Sequence, residues 1–475
     1  MDAPDVEETG RVLAAHRPGL AAGFAAAVPR AKAAVLTRLW GALWREGIVA
    51  PARLGGGPPP LFGPPLPRVV ADGVAHDDPG ALAAALGLPG GFRVELDNSV
   101  ANLALALAAP PGPAQPGLVA AEQAIADGHP LHPCCRTRLG MSTLDVLAYA
   151  PEHHPVVALR LVDVDPARWR TAGRAVPPRL PVHPWQLPRA LATGLVRDTG
   201  VDVPARPLMS LRTLAPDGPG WAGRHVKTAV EVQMTSAVRT LSPAAVHNGP
   251  LASALLAGLS RGTPQINVLA EVSSGTVLDA AGEPQRALGA VWRQAPPGDA
   301  DVLPVALLPH RPDLLTPGFF AALVELMVPP LLRLLELGVA LEAHGQNLLV
   351  EVAGGRPVRL HYRDLGGIHV HAGRLARAGV EMPPLVGALP TGDEDALRAK
   401  LLASAFATVL SELVAALGGG PQLWDRVAVV ARGSVAAGDA AAVLRGPWPL
   451  KATTAMRLAA DPLADRWCQV PNPLG

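Results

Sequence analysis

The sequence predicts an α+β protein of several lobes, with helices at both ends of the chain and short strands between them. Apolar residues recur at helical spacing near the N-terminus, and short valine-rich runs occupy the region from 129 to about 300. A long apolar helix followed by a β-hairpin is predicted after residue 316. At about 100–200 residues per domain, 475 residues make two to four domains or one large multi-lobed enzyme.

Composition excludes two broad classes of protein. With 49% hydrophobic and 17% charged residues, the chain has enough apolar side chains for a large core and is not a disordered protein. Its 41 basic and 40 acidic residues leave a formal net charge of +1, which argues against a nucleic-acid coat protein or a polybasic membrane binder. A local basic pocket remains compatible with this balance.

The three cysteines cannot form a disulfide framework or a cysteine-bound metal cluster. Cys134 and Cys135 are adjacent, Cys468 is remote, and the chain has no CxxC pair. No physical argument assigns the adjacent pair a role.

The sequence favours a cytoplasmic protein. The N-terminus is acidic and lacks the positive region of a secretory signal. The best candidate for a membrane span, residues 100–121, is interrupted by four prolines. We therefore expect no apolar run long enough to cross a bilayer.

Residues 1–125 are predicted to form a helical N-terminal domain. Helices are expected over residues 10–50, 80–109 and 118–127, where leucine, alanine and tryptophan follow helical spacing. A loop rich in glycine and proline covers 54–68, and the prolines between 110 and 116 mark a boundary.

Residues 126–300 form a second predicted domain that is rich in strands. β-type runs are expected at 156–162, 226–232 and 276–278. The second run alternates apolar and polar side chains, as a half-buried strand does.

Residues 301–475 form the third predicted domain. It begins with a helix over 316–338 that ends at Gly338. A hairpin follows, with strands at 348–352 and 358–362, and further helices are expected at 395–417 and 436–445.

Two rigid histidine loops lie near the start of the second domain. His129 and His132 each precede a proline, which blocks helix, and Arg136 and Arg138 follow them. The two guanidinium groups could clamp a phosphate or a carboxylate. The alternative is a loop whose histidines bond to backbone and whose arginines face water. A second turn, at His183, is expected to be structural.

A cluster of hydroxyl and cationic side chains lies between residues 210 and 240. Its members are Ser210, Arg212, Thr213, Lys227, Thr235, Ser236 and Arg239. Such a set could hold a polyphosphate without a Gly-rich loop. The alternative is that the cations pair with surface carboxylates, but Glu231 is the only acidic residue between 218 and 270.

The predicted hairpin points to a site for a hard cation. Asn347 precedes its first strand and Asp364 follows its second, so the two side chains are expected to lie side by side. Kinases place an asparagine and an aspartate on the Mg²⁺ of ATP in this layout, and oxygen ligands suit that ion. The alternative is a polar turn beside a Gly-rich loop. The chain lacks a Walker A motif, which argues against a P-loop enzyme.

These segments, in this order, resemble the IucA/IucC family of siderophore synthetases that work independently of nonribosomal peptide synthetases. The resemblance covers about residues 120–475. It rests on the two histidine loops, the hydroxyl and cation cluster, and three later segments. Those segments are His344-Gly345-Gln346-Asn347, Arg363-Asp364, and Lys451 followed by Met456-Arg457-Leu458.

The resemblance implies a cupped-hand fold with a helical thumb, β-rich fingers and a kinase-like palm, which correspond to the three predicted domains. It also implies an enzyme that uses ATP and Mg²⁺ to adenylate a carboxylate, commonly citrate, with release of pyrophosphate. An amine, hydroxylamine or alcohol then attacks the acyl-adenylate. A homodimer is expected, without nucleic-acid or membrane partners.

The resemblance also implies residue roles. The ATP-binding residues would be Ser210, Arg212, Thr213, Lys227 and Arg239. The Mg²⁺ ligands would be Asn347 and Asp364, helped by Glu342. The catalytic residues would be His132, Arg138, Thr235 and His344. The substrate-binding residues would be Thr235, Ser236, His344, Gln346 and Lys451.

The chain departs from the family in three respects. Arg136 stands where the family usually has lysine, and the two cations are not interchangeable at a close contact. The chain is shorter than typical members, chiefly in the thumb and loops. It also lacks a ferric-reductase-like cluster of cysteines near the C-terminus.

Two other hypotheses remain open at this point. The Asn347 and Asp364 pair also suits a small-molecule phosphotransferase, which would release ADP instead of AMP and pyrophosphate. A non-catalytic binding homologue is the third hypothesis. The complete ATP and magnesium sets argue against it.

Overall fold

The N-terminal lobe is helical, as the sequence predicts. The computed structural model describes residues 3–109, 117–298, 300–462 and 464–475, so the predicted boundary at 110–116 lies outside the described residues. The elements of this lobe are α1 (Val6–His16), α2 (Pro18–Arg45), β1 (Val69–Ala71), β2 (Val74–His76), α3 (Pro79–Ala85) and α4 (Gly90–Ala108). Asp5 and Asp78 cap α1 and α3 by accepting a backbone N–H bond. The apolar sides of α2 and α4 share one core.

The middle region is dominated by one antiparallel sheet of eight strands, which we call the eight-stranded sheet. The elements from 118 to 300 are α5 (Leu118–Gln123), β3 (Arg138–Leu139), α6 (Thr143–Tyr149), β4 (Val157–Val164), β5 (Trp169–Gly173), β6 (Arg179–Val182), α7 (Leu187–Ala192), β7 (Val196–Pro207), β8 (Thr213–Pro216), β9 (Arg224–Thr228), β10 (Val230–Met234), β11 (Ala237–Arg239), α8 (Pro243–Leu259), β12 (Ile266–Val268), β13 (Glu271–Leu278) and β14 (Pro284–Gln294). The strand order in the sheet is β5-β13-β14-β9-β8-β7-β4-β6.

Two predictions for the middle region are wrong in detail. The run 226–232 was expected to be one strand, but it is two, β9 and β10, which belong to different sheets because the chain leaves the ladder at Ala229. Helix α8 was not predicted, since Pro243, Gly249 and Pro250 obscure its pattern. Ser242 caps this helix, and Pro243 occupies its first turn, where the missing N–H costs nothing. Helix α5 ends at Gln123, earlier than the predicted 127.

The C-terminal region contains the predicted long helix and hairpin. Its elements are β15 (Asp301–Pro304), α9 (Pro317–Leu337), β16 (Val339–Ala340), β17 (Leu348–Ala353), β18 (Arg356–Tyr362), β19 (His369–His371), α10 (Ala372–Arg377), β20 (Pro390–Thr391), α11 (Glu394–Leu401), α12 (Ser411–Ala416), α13 (Pro421–Ser434), α14 (Ala440–Leu444), β21 (Trp448–Lys451), α15 (Thr453–Leu458) and β22 (Trp467–Val470). A π-helical segment, Leu402–Leu410, joins α11 to α12, so the predicted helix over 395–417 is confirmed in outline. The predicted helix over 436–445 is shorter, and α13 was not predicted.

The hairpin belongs to a four-stranded sheet in the order β12-β18-β17-β15, which we call the hairpin sheet. Its edge strand β12 runs parallel to β18, with Ile266 opposite Leu360. A strand from before residue 300 therefore completes the sheet of the third predicted domain. The domain boundaries and the cupped-hand description stay predictions.

Among the residues that the structure describes, three helical stretches are long and apolar enough to cross a membrane by length and composition, so the expectation that the chain has no such run was wrong. They are Pro18–Arg45, Pro317–Leu337 and Glu394–Ala416. In the last two, 61% and 72% of the apolar window is buried inside the protein, where it forms the large C-terminal core.

We predict that Gly338→Ala destabilises the protein. Gly338 ends α9 with φ at +103°, and an added Cβ would lie 2.7 Å from the Cβ of Arg374. The left-handed backbone and the clash together should lower the free energy of unfolding by about 2–4 kcal/mol. Thermal and denaturant unfolding would measure this. Gly433→Ala in α13 is the matched control, because an added Cβ there meets nothing within 4 Å. Equal effects of the two substitutions would contradict the prediction.

Candidate active site

An ion pair between Lys227 and Asp364 joins the two largest sheets. Lys227 lies in β9 of the eight-stranded sheet, and Asp364 directly follows β18 of the hairpin sheet. The Nζ atom of Lys227 is 2.8 Å from each carboxylate oxygen of Asp364. The contact brings the predicted phosphate cluster and the predicted magnesium site together.

Asp364 is held as a carboxylate in a strained backbone conformation. Its φ of +68° lies in the left-handed region, which is costly for a residue with a side chain. Burial alone would raise the pKa of Asp364, but Lys227, Arg293 and Arg212 hold that pKa well below its usual range. The Tyr362 hydroxyl donates to the Asp364 carbonyl oxygen at 3.4 Å and accepts from the Glu342 N–H at 3.2 Å.

The two ends of the hairpin meet, as the sequence predicts. Leu348 lies opposite Tyr362, and the Arg363 N–H donates to the Asn347 carbonyl oxygen at 3.1 Å. The side-chain amide nitrogen of Asn347 donates to the Glu342 carbonyl oxygen at 3.3 Å. This bond orients the amide so that its Oδ1 atom remains as an acceptor.

The oxygen atoms at this end of the hairpin fit a magnesium ion that also binds phosphate. The donors are the Asp364 carboxylate, the Asn347 Oδ1 atom and the Glu342 carboxylate, all hard oxygens. Within the described ranges, no group of three or more His, Cys, Asp or Glu residues is arranged to hold a metal. Mg²⁺ in nucleotide sites uses one or two carboxylates and completes its shell with phosphate and water, so a sparse protein set is appropriate.

The predicted hydroxyl and cation cluster forms one side of the cleft. Ser210 Oγ donates to Thr213 Oγ1 at 2.8 Å, and Thr213 lies directly opposite Lys227 in the ladder of β8 and β9. Arg212 donates to the Thr240 carbonyl oxygen at 2.8 Å. Burial and, to a smaller extent, Arg239 lower the pKa of Arg212 to about 10, while Asp364 opposes the shift.

The turn between β10 and β11 carries the second half of that cluster. Arg239 donates to the Met234 carbonyl oxygen at 2.9 Å and to the Thr235 hydroxyl. Thr235 has φ at +56°, so the turn is tight. Burial lowers the pKa of Arg239, whereas Asp364 and Glu342 raise it. The Arg239 guanidinium therefore lies within electrostatic reach of Asp364 and Glu342, the two carboxylates among the predicted metal ligands.

The contacts of His132 determine which of its ring nitrogens carries the proton. Its Nδ1 atom accepts the Cys134 N–H at 3.0 Å, so the proton must be on Nε2. The Nε2 atom lies 2.7 Å from Ser236 Oγ and donates to it. Burial, with His129 and Arg239, lowers the pKa of His132 well below its usual range. A neutral His132 with both nitrogens engaged positions Ser236 and is not a free base.

His344 is a neutral donor at the end of the hairpin. Its Nδ1 atom accepts the Gln346 N–H at 3.3 Å, which places the proton on Nε2. Burial lowers the pKa of His344, and Glu342 and Asp364 oppose that shift. Gln346 makes its contacts through its backbone. Its carbonyl oxygen accepts two hydrogen bonds from the Arg363 guanidinium, at 3.1 and 2.9 Å.

Three of the four lysines in the chain lie in this region. Besides Lys227, both Lys400 and Lys451 place Nζ 2.9 Å from a carboxylate oxygen of Asp465, and 3.8 and 3.4 Å from Glu342 Oε1. Burial would raise the pKa of Asp465, but Lys451 and Lys400 lower it to about 2. Lys451 was predicted from sequence, whereas Lys400 was not. A substrate carboxylate would find two cations at this position.

Arg138 has the environment of a structural residue and not that of a catalytic one. Its guanidinium is buried 2.6 Å from Glu152 Oε1, and Arg136 pairs with the other oxygen at 3.2 Å. Arg136 also donates to the backbone carbonyls of residues 125–127. The clamp expected from these two arginines is therefore filled by Glu152. His183 is likewise buried, and its Nδ1 atom accepts the Trp185 N–H at 3.2 Å.

Sequence reasoning missed a row of buried polar residues across the eight-stranded sheet. Glu271 lies opposite Arg293 in the ladder of β13 and β14, and Arg293 lies opposite His225 in β9. Arg293 Nε and His225 Nδ1 are buried without a hydrogen-bond partner among the described residues. Burial lowers the pKa of Arg293 to about 10, and Asp364 is one of the groups that oppose the shift. The signal available in the sequence was the position of Arg293 at the end of the apolar run 288–292.

A buried pair of Arg363 and Glu122 fixes the loop that carries Ser210. Arg363 Nη1 donates to Glu122 Oε1, and Glu122 Oε2 accepts the Met209 N–H at 2.8 Å. One carboxylate therefore connects α5, the hairpin and the start of the hydroxyl cluster. Glu122 was also missed by sequence reasoning.

Models of two protein families match parts of the chain. The model of the IucA / IucC family matches residues 117–177 and 178–310, which include the hydroxyl and cation cluster and Arg293. Residues 117–310 are therefore similar to the IucA/IucC family. A second model, described as ferric iron reductase FhuF-like transporter, matches residues 318–462, a range that contains no cysteine.

Two curated relatives are a synthase and a ligase by name. Staphyloferrin A synthase from Staphylococcus aureus is 24% identical over 359 residues, which are 62% of this chain and 60% of that protein. D-ornithine–citrate ligase from the same organism is 28% identical over 172 residues, 28% of this chain and 26% of that protein. The chain thus spans about three fifths of the length of the first relative.

Two solved structures share the fold. The ATP-bound aerobactin synthetase IucA from Klebsiella pneumoniae has a TM-score of 0.71 at 21% identity, and the match covers 86% of this chain and 89% of that one. The petrobactin biosynthesis protein AsbB from Bacillus anthracis has a TM-score of 0.78 at 18% identity, covering 96% and 98%. The chain therefore has the fold of these two solved structures.

We predict that Arg138→Met lowers the stability of the protein but not its affinity for ATP, and that Arg239→Met chiefly lowers its affinity for ATP. Loss of Arg138 leaves Glu152 with one buried partner, so the free energy of unfolding should fall by about 3 kcal/mol while ATP affinity is unchanged. Loss of Arg239 should weaken ATP binding by roughly tenfold or more with a smaller effect on stability. Thermal unfolding and titration calorimetry with ATP would measure both. A loss of ATP affinity in folded Arg138→Met would contradict the structural role.

Proposed function

We propose that the protein is an ATP-dependent siderophore synthetase that adenylates citrate or a citrate derivative and joins it to an amine, hydroxylamine or alcohol. A carboxylate oxygen of the acid would attack the α-phosphorus of ATP, and the bond from that phosphorus to pyrophosphate would break. The nucleophile would then attack the acyl carbon and lose a proton, and AMP would leave.

The observation that carries this proposal is an excess of positive charge around the Lys227–Asp364 pair, on cations that are buried at Arg293 and half-buried at Lys227, Arg212 and Arg239. Lys227, Arg212, Arg239 and Arg293 face two carboxylates, those of Asp364 and Glu271. Buried charges without full compensation are costly, so such a site favours an anion of high charge density. A triphosphate supplies several anionic oxygens within the span of these four cations.

The remaining nucleotide contacts follow from position in the sheet. Thr213 lies opposite Lys227, and its hydroxyl, which accepts a bond from Ser210 Oγ, would donate to a phosphate oxygen. Ser210 would have to turn away from Thr213 to do the same. Mg²⁺, held by Asn347 and Asp364 with help from Glu342, would neutralise charge that develops on the phosphates. Cations fixed before the reaction stabilise that charge without reorganising.

Neutral side chains that donate hydrogen bonds would line the reacting centre. The Nε2–H group of His344 would donate to an oxygen of the acid or of the α-phosphate, since a histidine of lowered pKa acts here as a donor and not as a base. Thr235 and Ser236 present hydroxyls on the same turn as Arg239, and His132 fixes Ser236. Orientation of the two reactants supplies much of the rate in such a reaction.

The acid would bind where Asp465 now bridges Lys400 and Lys451. A carboxylate there already satisfies both lysines, so a substrate carboxylate can make the same contacts. The relative named D-ornithine–citrate ligase supports citrate as the acid and an amine as the nucleophile. A homodimer and a cytoplasmic location remain predictions of the family resemblance.

Product analysis tests the proposal. The protein is incubated with ATP, Mg²⁺ and hydroxylamine, and with citrate, succinate or 2-oxoglutarate in parallel. We expect AMP, pyrophosphate and a hydroxamate with citrate, because hydroxylamine intercepts an acyl-adenylate. ADP without hydroxamate would contradict the proposal and indicate a phosphotransferase. A hydroxamate with another acid only would correct the substrate.

We predict that Asp364→Asn lowers the rate of acid-dependent pyrophosphate release by roughly a hundredfold or more, because it removes the charge that binds both Lys227 and Mg²⁺. The measurement is pyrophosphate release at saturating ATP over a range of Mg²⁺ concentrations. Asp198→Asn is the matched control, since Asp198 is an exposed partner of Arg160 in the eight-stranded sheet. Unchanged release in folded Asp364→Asn would remove Asp364 from the site.

A further inference from the structure

Glu271 is a buried carboxylate without an ion pair. Glu271 is 4% exposed. Among the described residues, no Lys, Arg or His nitrogen lies within 4.0 Å of the Glu271 carboxylate oxygens. The hydrogen bond found at its carboxylate within those ranges is a long one, from the Leu365 N–H at 3.3 Å. Burying a carboxylate with so little compensation is unfavourable, which indicates that Glu271 gains a further partner in some state of the protein.

The sheet and helix α8 confine that carboxylate beside the site. Glu271 Oε2 lies only 2.5 Å from where a Cβ on Gly249 would be, so α8 leaves it no room on that side. Glu271 starts β13, while Lys227 lies in β9, with β14 between them. Lys227 lies opposite Val291, two residues before Arg293, so it is offset from Glu271 by two strand spacings and by two residues along the strand. The separation of about 12 Å is one that a glutamate and a lysine on one face can bridge with their long side chains. Lys227 is the strongest of the charges that oppose the raised pKa of Glu271.

Asp364 cannot hold Lys227 in this position and bind a magnesium ion at the same time. The Lys227 ammonium group lies 2.8 Å from both carboxylate oxygens of Asp364, which are the atoms that a cation would take. Two cations on one carboxylate repel each other, so Lys227 has to release Asp364 when Mg²⁺ binds there. A released ammonium needs an anionic partner besides phosphate to stay in one orientation.

We propose that Glu271 is that partner: a positioning residue that receives Lys227 when Asp364 takes a magnesium ion, and that holds the ammonium on the phosphates. This inference rests on the proposed function, in which Mg²⁺·ATP binds here. It adds one step to that function, in which Lys227 leaves the carboxylate of Asp364 and pairs with the carboxylate of Glu271. No bond is made or broken in the exchange. The competing explanation is that Glu271 only fixes the backbone after Asp364 through the Leu365 N–H.

A double-mutant cycle separates the two explanations. Glu271→Gln keeps an oxygen for the Leu365 N–H but removes the charge, and Lys227→Met removes the ammonium. Affinity for ATP, without any acid present, is measured by titration calorimetry in Mg²⁺ and in EDTA. In Mg²⁺ we expect Glu271→Gln to weaken ATP binding by about tenfold when Lys227 is present and to have no further effect in Lys227→Met.

The measurement in EDTA needs no Lys227 variant. Without Mg²⁺, Lys227 has no reason to leave Asp364, so Glu271→Gln should bind ATP as the unsubstituted protein does. Glu231→Gln is the matched control, because Glu231 lies in β10 and accepts a bond from Gln186 at 2.7 Å outside this row. Thermal unfolding confirms that each variant is folded.

Each outcome decides between the explanations. Additive effects of the two substitutions, or an equal loss of affinity in Mg²⁺ and EDTA, would assign Glu271 a structural role and overturn the inference alone. Unchanged affinity in Glu271→Gln would overturn it as well. Failure of the unsubstituted protein to bind ATP would overturn the proposed function, and the inference with it.

Discussion

The ion pair of Lys227 and Asp364 connects the eight-stranded sheet to the hairpin sheet, and the candidate site is arranged around it. Arg212, Arg239 and Arg293 are buried near the same carboxylate, and their pKa values are lowered chiefly by that burial. Burying several cations at one place opposes folding unless anions compensate them. An anionic ligand that binds only the folded chain therefore stabilises it, so nucleotide affinity and stability should be linked in this protein.

Lysine and arginine have different tasks in this chain. Four of its 41 basic residues are lysines, and three of those lie at contacts that a ligand would change. The arginines at Glu152 and Glu122 instead form buried pairs that a ligand does not reach. A guanidinium holds fixed oxygens in a rigid fork, whereas an ammonium on a flexible stem can turn from one partner to another.

The sequence predicted those parts of the site that depend on neighbours along the chain. The hairpin register could be deduced from alternating residues around a Gly-Gly turn, and it placed Asn347 and Asp364 at one end. The partner of Arg138, Glu152, is reached only through folding, so neither the burial nor the pairing of Arg138 can be deduced from its motif, and its catalytic role stays a prediction. Glu271, Arg293 and His225 form a row only once three strands are in register, and two of those strands are distant in sequence. Helix α8 was hidden by its prolines, although its cap at Ser242 followed a familiar pattern.

Strand β12 lies beside β18 although about ninety residues separate them in the chain. During synthesis, β12 leaves the ribosome long before β18 exists, so its edge waits unpaired while the eight-stranded sheet can already close. Parallel pairing over such a separation is slow to form and exposes apolar surface in the meantime. The hairpin sheet can therefore be completed only after all strands of the eight-stranded sheet have been made. A nascent or truncated chain that stops before residue 360 would have the cations for a nucleotide but not the carboxylate that completes the site, and so would not consume ATP unproductively.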